Sequence, residues 1–483
     1  MKAHAAGPRP ALRAAAIAWL LAALPAAALV LAGHNGGRAA WDSTVYHEAV
    51  IRRFIAEWPA FDVTNPLTAT TPGYHVLLAA VGVAASPATV ALRLASVAIG
   101  ASFVALVAAW CARRVGTRDG VLLALPLAAS VYVLGSSAWL LPDNLGWLLV
   151  TVILALCLRP RWRVADALAA GALLGVLVLV RQSHVWAAAA VLCAAWCGDG
   201  RPGDAVAWRR PPAGAVGRAA VAVMALVPAF LALAAFVSLW GGLVPPRFRT
   251  DIVQGNPAVP AYVLFQFALL GLAFLPWLWV PVTDAWRTHR GRMMAAGAVG
   301  LLLAALPATV PDVAAGRYSG WWSLLAKVPA IAGRTNPVIL LAAPAGAMLL
   351  AGALLALPAR ARAVLAVAVA AFVAAQSANF YAWQRYHEPF VLVVLAMASA
   401  LAATRIPPMR PALRVAAIGA LAAALATVSW VSLNVPPVAP GEKPMPQHLT
   451  PEERAALGVL APDGAADHPP PAQPPITGAA PRP

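Results

Sequence analysis

Long apolar runs separated by short basic clusters constrain this sequence more than any other feature. Hydrophobic residues make up 61% of the 483 residues, and charged residues only 11%. A helix needs about 20 apolar residues to cross the hydrocarbon core of a bilayer. Because runs of that kind recur throughout the chain, the sequence predicts an all-α, polytopic transmembrane helical bundle with about 13 spans. The predicted spans lie near residues 11–33, 89–111, 120–138, 143–158, 164–180, 184–197, 218–240, 260–282, 293–312, 337–357, 363–380, 389–404 and 412–433.

The basic clusters predict how the bundle is oriented. Arginines concentrate in several connections between the apolar runs, and Lys and Arg favour cytoplasmic loops. All of these connections share the cytoplasmic side if the apolar residues 73–86 do not cross the membrane. A helix of that length reaches roughly 21 Å, less than the ~30 Å hydrocarbon core. The alternative, in which this segment also crosses, places residues 113–118 outside.

This topology divides the chain into a transmembrane domain, residues 1–433, and a tail, residues 434–483. Residues 34–88 form the first extracytoplasmic loop, which we expect to contain juxtamembrane helices. The tail is rich in Pro and Ala and is expected to be disordered outside the membrane. The first apolar run is long for a signal peptide and is expected to remain as a span. The basic loops account for the net charge of +17, so nucleic acid is not an expected partner.

The first extracytoplasmic loop gathers acidic residues, which are scarce in the chain as a whole. Asp42, Glu48, Glu57 and Asp62 all lie in it. Asp42 precedes residues 43–58, whose apolar side chains share one face, as in an interfacial amphipathic helix. Asp42 has two interpretations. It is the N-cap of that helix, or a general base that takes a proton from an acceptor hydroxyl.

Two later polar turns also face outward in this topology. Asp143 opens a span, either as a cap or as a second carboxylate of the same site. Arg181 lies in a tight turn between two spans, followed by Gln182. Its guanidinium either snorkels to the interface or binds phosphate oxygens bidentately. We predict Asp42 and Asp143 as catalytic carboxylates.

Positive charges on the outward side go against the usual bias of membrane proteins. They would offset the charge of a lipid phosphate, and we predict that they bind one. The predicted phosphate-binding residues are Arg181, Arg317, Lys327, Arg334 and Arg385. The residues predicted to line the site or contact the acceptor are His47, Glu48, Tyr74, His75, Gln182, Tyr386 and His387.

Several standard motifs are missing from the sequence. It contains no phosphate-binding Gly-rich loop, HExxH motif, Rossmann fingerprint or GxSxG elbow. Asp42 is followed by Ser43, whereas a second acid there would favour a divalent metal. We expect no cofactor and no metal site, with a divalent metal as the less favoured alternative.

The order of the polar motifs resembles a known family. WDSTVYHEAV, TATTPGYH and RQSHVW are similar to motifs of the dolichyl-phosphate-glucose alpha-1,2-glucosyltransferases. LPDN and the span layout resemble the bacterial aminoarabinose and protein-mannosyl transferases. Both are branches of the C-type (GT-C) membrane glycosyltransferases, which take sugars from polyprenyl-phosphate carriers. The resemblance implies that Asp42 is the catalytic carboxylate and that Asp143 is a second acid. It also implies that Arg181 and the late outward cations bind the carrier phosphate. Ser43 departs from the pattern, since relatives often carry a second acid there.

Taken together, these features predict a multi-pass glycosyltransferase of a bacterial cytoplasmic membrane, with its site facing outside. It would move a hexose-type sugar from a polyprenyl-phosphate donor to a glycan, lipid or protein acceptor, with inversion. The alternative is a transporter or flippase of lipid-linked glycans. Transporters usually place ionisable residues at mid-membrane on broken helices, often within inverted repeats, whereas the acids here lie at span ends and in loops.

Overall fold

A computed structural model describes residues 8–198, 213–251, 255–310, 318–379 and 381–434. These residues form an all-α, multi-pass membrane bundle. The α-helices are α1 Pro8–Leu31, α2 Arg38–Asp42, α3 Ala49–Ala56, α4 Gly73–Ala84, α5 Thr89–Val115, α6 Thr117–Ala129, α7 Val131–Ala138, α8 Asp143–Cys157, α9 Val164–Val180, α10 Ala187–Cys197, α11 Ala215–Trp240, α12 Val259–Gly271, α13 Leu275–Thr288, α14 Arg290–Ala305, α15 Trp321–Leu325, α16 Pro337–Leu355, α17 Ala359–Ser377, α18 Glu388–Ala403 and α19 Pro411–Leu433.

Helices occupy every apolar run that was predicted to span. Among the described residues, 8 helices are long and apolar enough to cross a membrane, or 9 if the bent pair α6–α7 is one span. The other predicted spans correspond to α8, α9, α10 and α14, which have 11 to 17 residues each. Helix α4 has 12 residues and reaches about 18 Å; that this segment does not cross the membrane stays a prediction.

The predicted span 120–138 is broken rather than continuous. Helices α6 and α7 meet at Ser130 with a bend of 70°. Ser130 is extended, and its hydroxyl accepts a hydrogen bond from the amide of Tyr132 at 3.3 Å, which caps α7. The break lies at the same end of the bundle as the polar turn 139–142.

Two helices form the centre of the bundle. Helix α5 packs against α1, α6 and α8, and α18 is buried along nearly its whole length. The segment before α18 forms a short parallel strand pair, in which β2 (Ala382–Trp383) pairs with β1 (Tyr318–Ser319). The loop that contains β1 is thereby fixed beside the start of α18.

The first loop is helical, and the placement of its helices beside the membrane stays a prediction. Helices α2 and α3 are joined by a π-helical turn, Ser43–Glu48, and α4 follows a Pro–Gly turn. Helix α4 packs against α3, α5 and α9. Residues 435–483, nearly the whole predicted tail, lie outside the described residues.

Candidate functional site

Two buried ion pairs meet at one end of the bundle. The Arg385 guanidinium donates to a carboxylate oxygen of Asp42, and the Arg181 guanidinium donates to one of Asp143. The carboxylate side chains are 8% and 6% exposed, and the guanidinium side chains 19% and 11%. Buried charges are costly unless they are paired. The structure thus brings together four of the residues predicted from sequence.

The ring of Tyr386 joins the two ion pairs into one site. The Cζ atom of Arg181 lies 4.5 Å from the ring centroid, and that of Arg385 lies 5.1 Å from it. Arg385 also donates to the Tyr386 hydroxyl at 3.2 Å. Guanidinium groups stack favourably on aromatic faces. The cluster of Asp42, Asp143, Arg181 and Arg385 carries no net charge and is called the paired-charge site below.

The structure decides between the alternatives for Asp42 and Asp143. The helical segment begins at Arg38, upstream of Asp42, and Asp42 makes no capping hydrogen bond. The interpretation of Asp42 as an N-cap is therefore wrong. Asp143 is the first residue of α8, and the residue in the cap position is Pro142. Both carboxylates face guanidinium groups instead of helix ends.

The snorkelling alternative for Arg181 is also wrong. Only 9% of the residue is exposed, and its guanidinium pairs with Asp143. The next residue, Gln182, ties this turn to two other segments. Its amide donates to the carbonyls of Ala69 and Leu243 at 2.8 and 2.9 Å and accepts from the amide of Thr71 at 3.0 Å.

Ser43 fixes the first loop against the turn that precedes Asp143. It is fully buried, and its hydroxyl accepts from the backbone amide of Leu140 at 3.1 Å. From the sequence, Ser43 was of interest only because relatives often carry a second acid at that position. In the structure it holds the segment of Asp42 beside the segment of Asp143.

A histidine pair lies beside the paired-charge site. Nδ1 of His47 and Nε2 of His75 are 2.9 Å apart and share a hydrogen bond. Burial, first, and then the neighbouring His75, Arg385 and Arg181 hold the pKa of His47 well below its usual value. Burial lowers the pKa of His75 to about 3. The pair is therefore neutral at neutral pH. Tyr74, next to His75, is buried and donates to Ser96 at 3.0 Å.

Three other predicted site residues make different contacts or are exposed. Glu48 accepts from Arg52 at 2.9 Å and from Thr89 at 2.6 Å, which ties the first loop to the start of α5. Lys327 and Arg334 are exposed. Among the described residues, neither forms an ion pair or hydrogen bond with the paired-charge site. Arg334 instead donates to the carbonyl of Leu306.

Two predicted site residues remain, the phosphate-binding Arg317 and the site-lining His387. Arg317 lies outside the described residues. His387 is fully buried, 5.8 Å from Tyr262 and 6.0 Å from Phe372 between ring centroids. It lies next to Tyr386 in sequence but packs among aromatic rings.

Sequence reasoning missed a second polar network at the start of α18. Glu388 is buried and accepts from Ser130 and Gln384, each at 2.5 Å. The side-chain carbonyl of Gln384 accepts from the amide of Trp321 at 2.6 Å and from Tyr262 at 3.2 Å. An acid at the first residue of an apolar span is unusual, and that signal was available in the sequence.

Within the part of the chain that the structure describes, no group of three His, Cys, Asp or Glu side chains is arranged to hold a metal ion. The predicted absence of a metal stays a prediction. The two arginines are the cations that the paired-charge site itself provides.

Comparisons with known proteins give two similar solved structures. The crystal structure of ArnT from Cupriavidus metallidurans bound to undecaprenyl phosphate is 16% identical, covers 84% of this chain and 77% of that chain, and has a TM-score of 0.39. ArnT from the same organism in the apo state is 17% identical, covers 84% and 78%, and has a TM-score of 0.37. No family model matches the chain, and no curated protein matches it.

Proposed function

We propose that this protein is a C-type membrane glycosyltransferase that uses a polyprenyl-phosphate sugar as its donor. It would transfer a hexose-type sugar to an acceptor hydroxyl at the outer face of a bacterial cytoplasmic membrane. The observation that carries this proposal is the paired-charge site, in which two guanidinium groups lie over the ring of one tyrosine and each pairs with a carboxylate.

The guanidinium groups suit the phosphate of the donor. Arg181 and Arg385 flank Tyr386 from two elements, so their donors reach a shared region. Planar guanidinium groups bind phosphate oxygens bidentately. Negative charge develops on the leaving phosphate as the bond to the sugar breaks, and fixed cations stabilise that charge.

Asp42 suits the role of general base. In the proposed step the acceptor oxygen forms a bond to the anomeric carbon, and the bond from that carbon to the phosphate oxygen breaks. The electron pair of the broken bond leaves with the polyprenyl phosphate, and the acceptor proton passes to the Asp42 carboxylate. A single displacement of this kind inverts the anomeric centre. We propose that Asp143 holds Arg181 in position before the donor phosphate binds.

We propose that the reaction needs no cofactor and no divalent metal, since the two guanidinium groups supply positive charge where the leaving phosphate would lie. The transporter alternative fits the site less well. The four charges lie at helix ends and in a loop helix, whereas transporters usually place ionisable groups at mid-membrane.

The test uses membranes containing the wild type, Asp42→Asn or Asp62→Asn, supplied with radiolabelled polyprenyl-phosphate hexoses. Label is followed into lipid, glycan and protein fractions. Asp62 is a matched control because it is 48% exposed and pairs with Arg53 in the same loop. We expect transfer by the wild type and Asp62→Asn, and a loss of about 100-fold or more in Asp42→Asn. Full transfer by Asp42→Asn would contradict the base assignment. Unchanged donor in all three samples would favour the transporter.

A further inference from the structure

Each of the two arginines proposed to bind phosphate is paired with a carboxylate, and one of these carboxylates is the proposed base. Arg385 is paired with Asp42, and Arg181 is paired with Asp143. A carboxylate oxygen that accepts a charge-assisted hydrogen bond has that lone pair engaged. In this arrangement one oxygen of Asp42 is engaged by Arg385, which makes the carboxylate a weaker base toward an acceptor hydroxyl. Neither guanidinium is fully available to a phosphate.

The charge balance of the site indicates how a phosphate would enter. The two arginines and two aspartates sum to zero, and the nearby His47–His75 pair is neutral. A phosphodiester brings one further negative charge into a largely buried place. Adding it beside intact ion pairs is unfavourable, because the carboxylates repel it. Its entry becomes favourable when the guanidinium groups turn from the carboxylates to the phosphate oxygens.

Tyr386 provides a surface on which such a turn can occur. Both guanidinium groups lie over its ring, at 4.5 Å and 5.1 Å. The ring contact depends on the position of the guanidinium plane and not on which anion its edge binds. Each cation can therefore change its anionic partner while it keeps its aromatic one. Trp383 gives Arg385 a second ring, 4.5 Å away.

We propose that the two ion pairs are exchange contacts, in which the phosphate of a lipid-linked substrate displaces Asp42 from Arg385 and Asp143 from Arg181. This inference rests on the proposed function. The displacement releases the Asp42 carboxylate only when the donor phosphate is bound. Without donor, the Arg385 pair keeps Asp42 a weaker base, so the site activates water or an acceptor less than it does with donor bound.

Carboxylates that compete with phosphate for the arginines and carboxylates that help to bind phosphate predict opposite effects of their removal. Removing a carboxylate removes a competitor for its arginine, so Asp42→Asn and Asp143→Asn should bind phosphate more tightly than the wild type. If the carboxylates instead support phosphate binding, the same variants bind more weakly. Asn keeps the shape of Asp and can still accept one hydrogen bond from the guanidinium.

The experiment measures binding of sugar-free polyprenyl phosphate, and of inorganic phosphate as a second probe, to the full chain in lipid nanodiscs. We expect at least tenfold tighter binding of polyprenyl phosphate by Asp42→Asn and by Asp143→Asn. The control variant Asp62→Asn should bind as the wild type does. The double variant Asp42→Asn/Arg385→Gln should lose the gain, because the released guanidinium is gone. Tighter binding of both probes locates the effect at the phosphate, and tighter binding of the lipid probe alone assigns it to the lipid carrier.

Folding is checked by thermal unfolding with and without the probe, because a ligand stabilises the folded state in proportion to its affinity. A larger stabilisation of Asp42→Asn than of the wild type supports the exchange even if that variant is less stable without ligand. Unchanged or weaker binding in both single variants overturns it. If the wild type transfers no sugar but the variants bind phosphate more tightly, the proposed function fails and the exchange stands.

Discussion

Glu388 gives a prediction whose size follows from its hydrogen bonds. The side chain is 1% exposed, and its two oxygens accept from Ser130 and Gln384 at 2.5 Å each. Glu388→Leu leaves both donors without this partner. A buried polar group that loses its partner costs about 1–3 kcal/mol, so two such groups cost about 2–6 kcal/mol.

Glu388→Gln separates this effect from simple loss of charge. A glutamine oxygen accepts from Gln384, and its NH₂ group donates to Ser130, whose hydroxyl can also accept. Both bonds are kept in neutral form, at a cost of about 1 kcal/mol. We expect Glu388→Gln to keep nearly wild-type thermal stability and transfer, and Glu388→Leu to lose much of both.

The assay is thermal unfolding of the purified full chain together with the donor-transfer assay. Loss of the Gln384 contact should also free the amide of Trp321, so Glu388→Leu should raise the KM for donor through movement of the neighbouring Arg385. Equal stability of the Leu and Gln variants would refute the hydrogen-bond reasoning. A large loss in Glu388→Gln would show that the charge itself is required.

Three further predictions follow from the same geometry. Arg181→Lys keeps the charge but loses the planar group stacked on Tyr386, so the KM for donor should rise about tenfold or more while kcat changes less. Gly320→Ala should lower thermal stability because φ is +73° and a Cβ would collide with Gln384, whereas Gly419→Ala, with open space around it, should not. The wild type should lose stability as the pH falls below about 6.5, because the pKa of buried His47 is lowered and the unfolded chain takes up that proton first; thermal unfolding between pH 8 and pH 5 measures this, and no loss over that range would contradict it.

Hydropathy predicted the helices well because each apolar run must form a helix in lipid. It did not predict the bend between α6 and α7. A window that averages apolar character cannot detect that Ser130 is extended and caps the second helix. The length of an apolar run also does not distinguish full spans from the shorter helices α8 and α9. Helix α8 begins at Asp143, and α9 ends just before Arg181.

The candidate site was predicted in part. Asp42, Asp143, Arg181 and Arg385 were all selected from sequence, and the structure places them together. Loop charges predict the side of the membrane on which a residue lies but not its position around the bundle. Lys327, predicted on the same side, is exposed. The pairing of each arginine with one aspartate depends on packing across distant helices and has no local signal.

A bound phosphate would give the two buried ion pairs a role besides folding. Buried ion pairs add little net stability, and apolar side chains of similar size often serve equally well. Under the proposed function, the two pairs around Tyr386 have a role beyond folding, because a bound anion takes over both guanidinium groups. The exposed Arg53–Asp62 pair, at 3.3 Å in the same loop, carries no such implication, since its charges remain solvated.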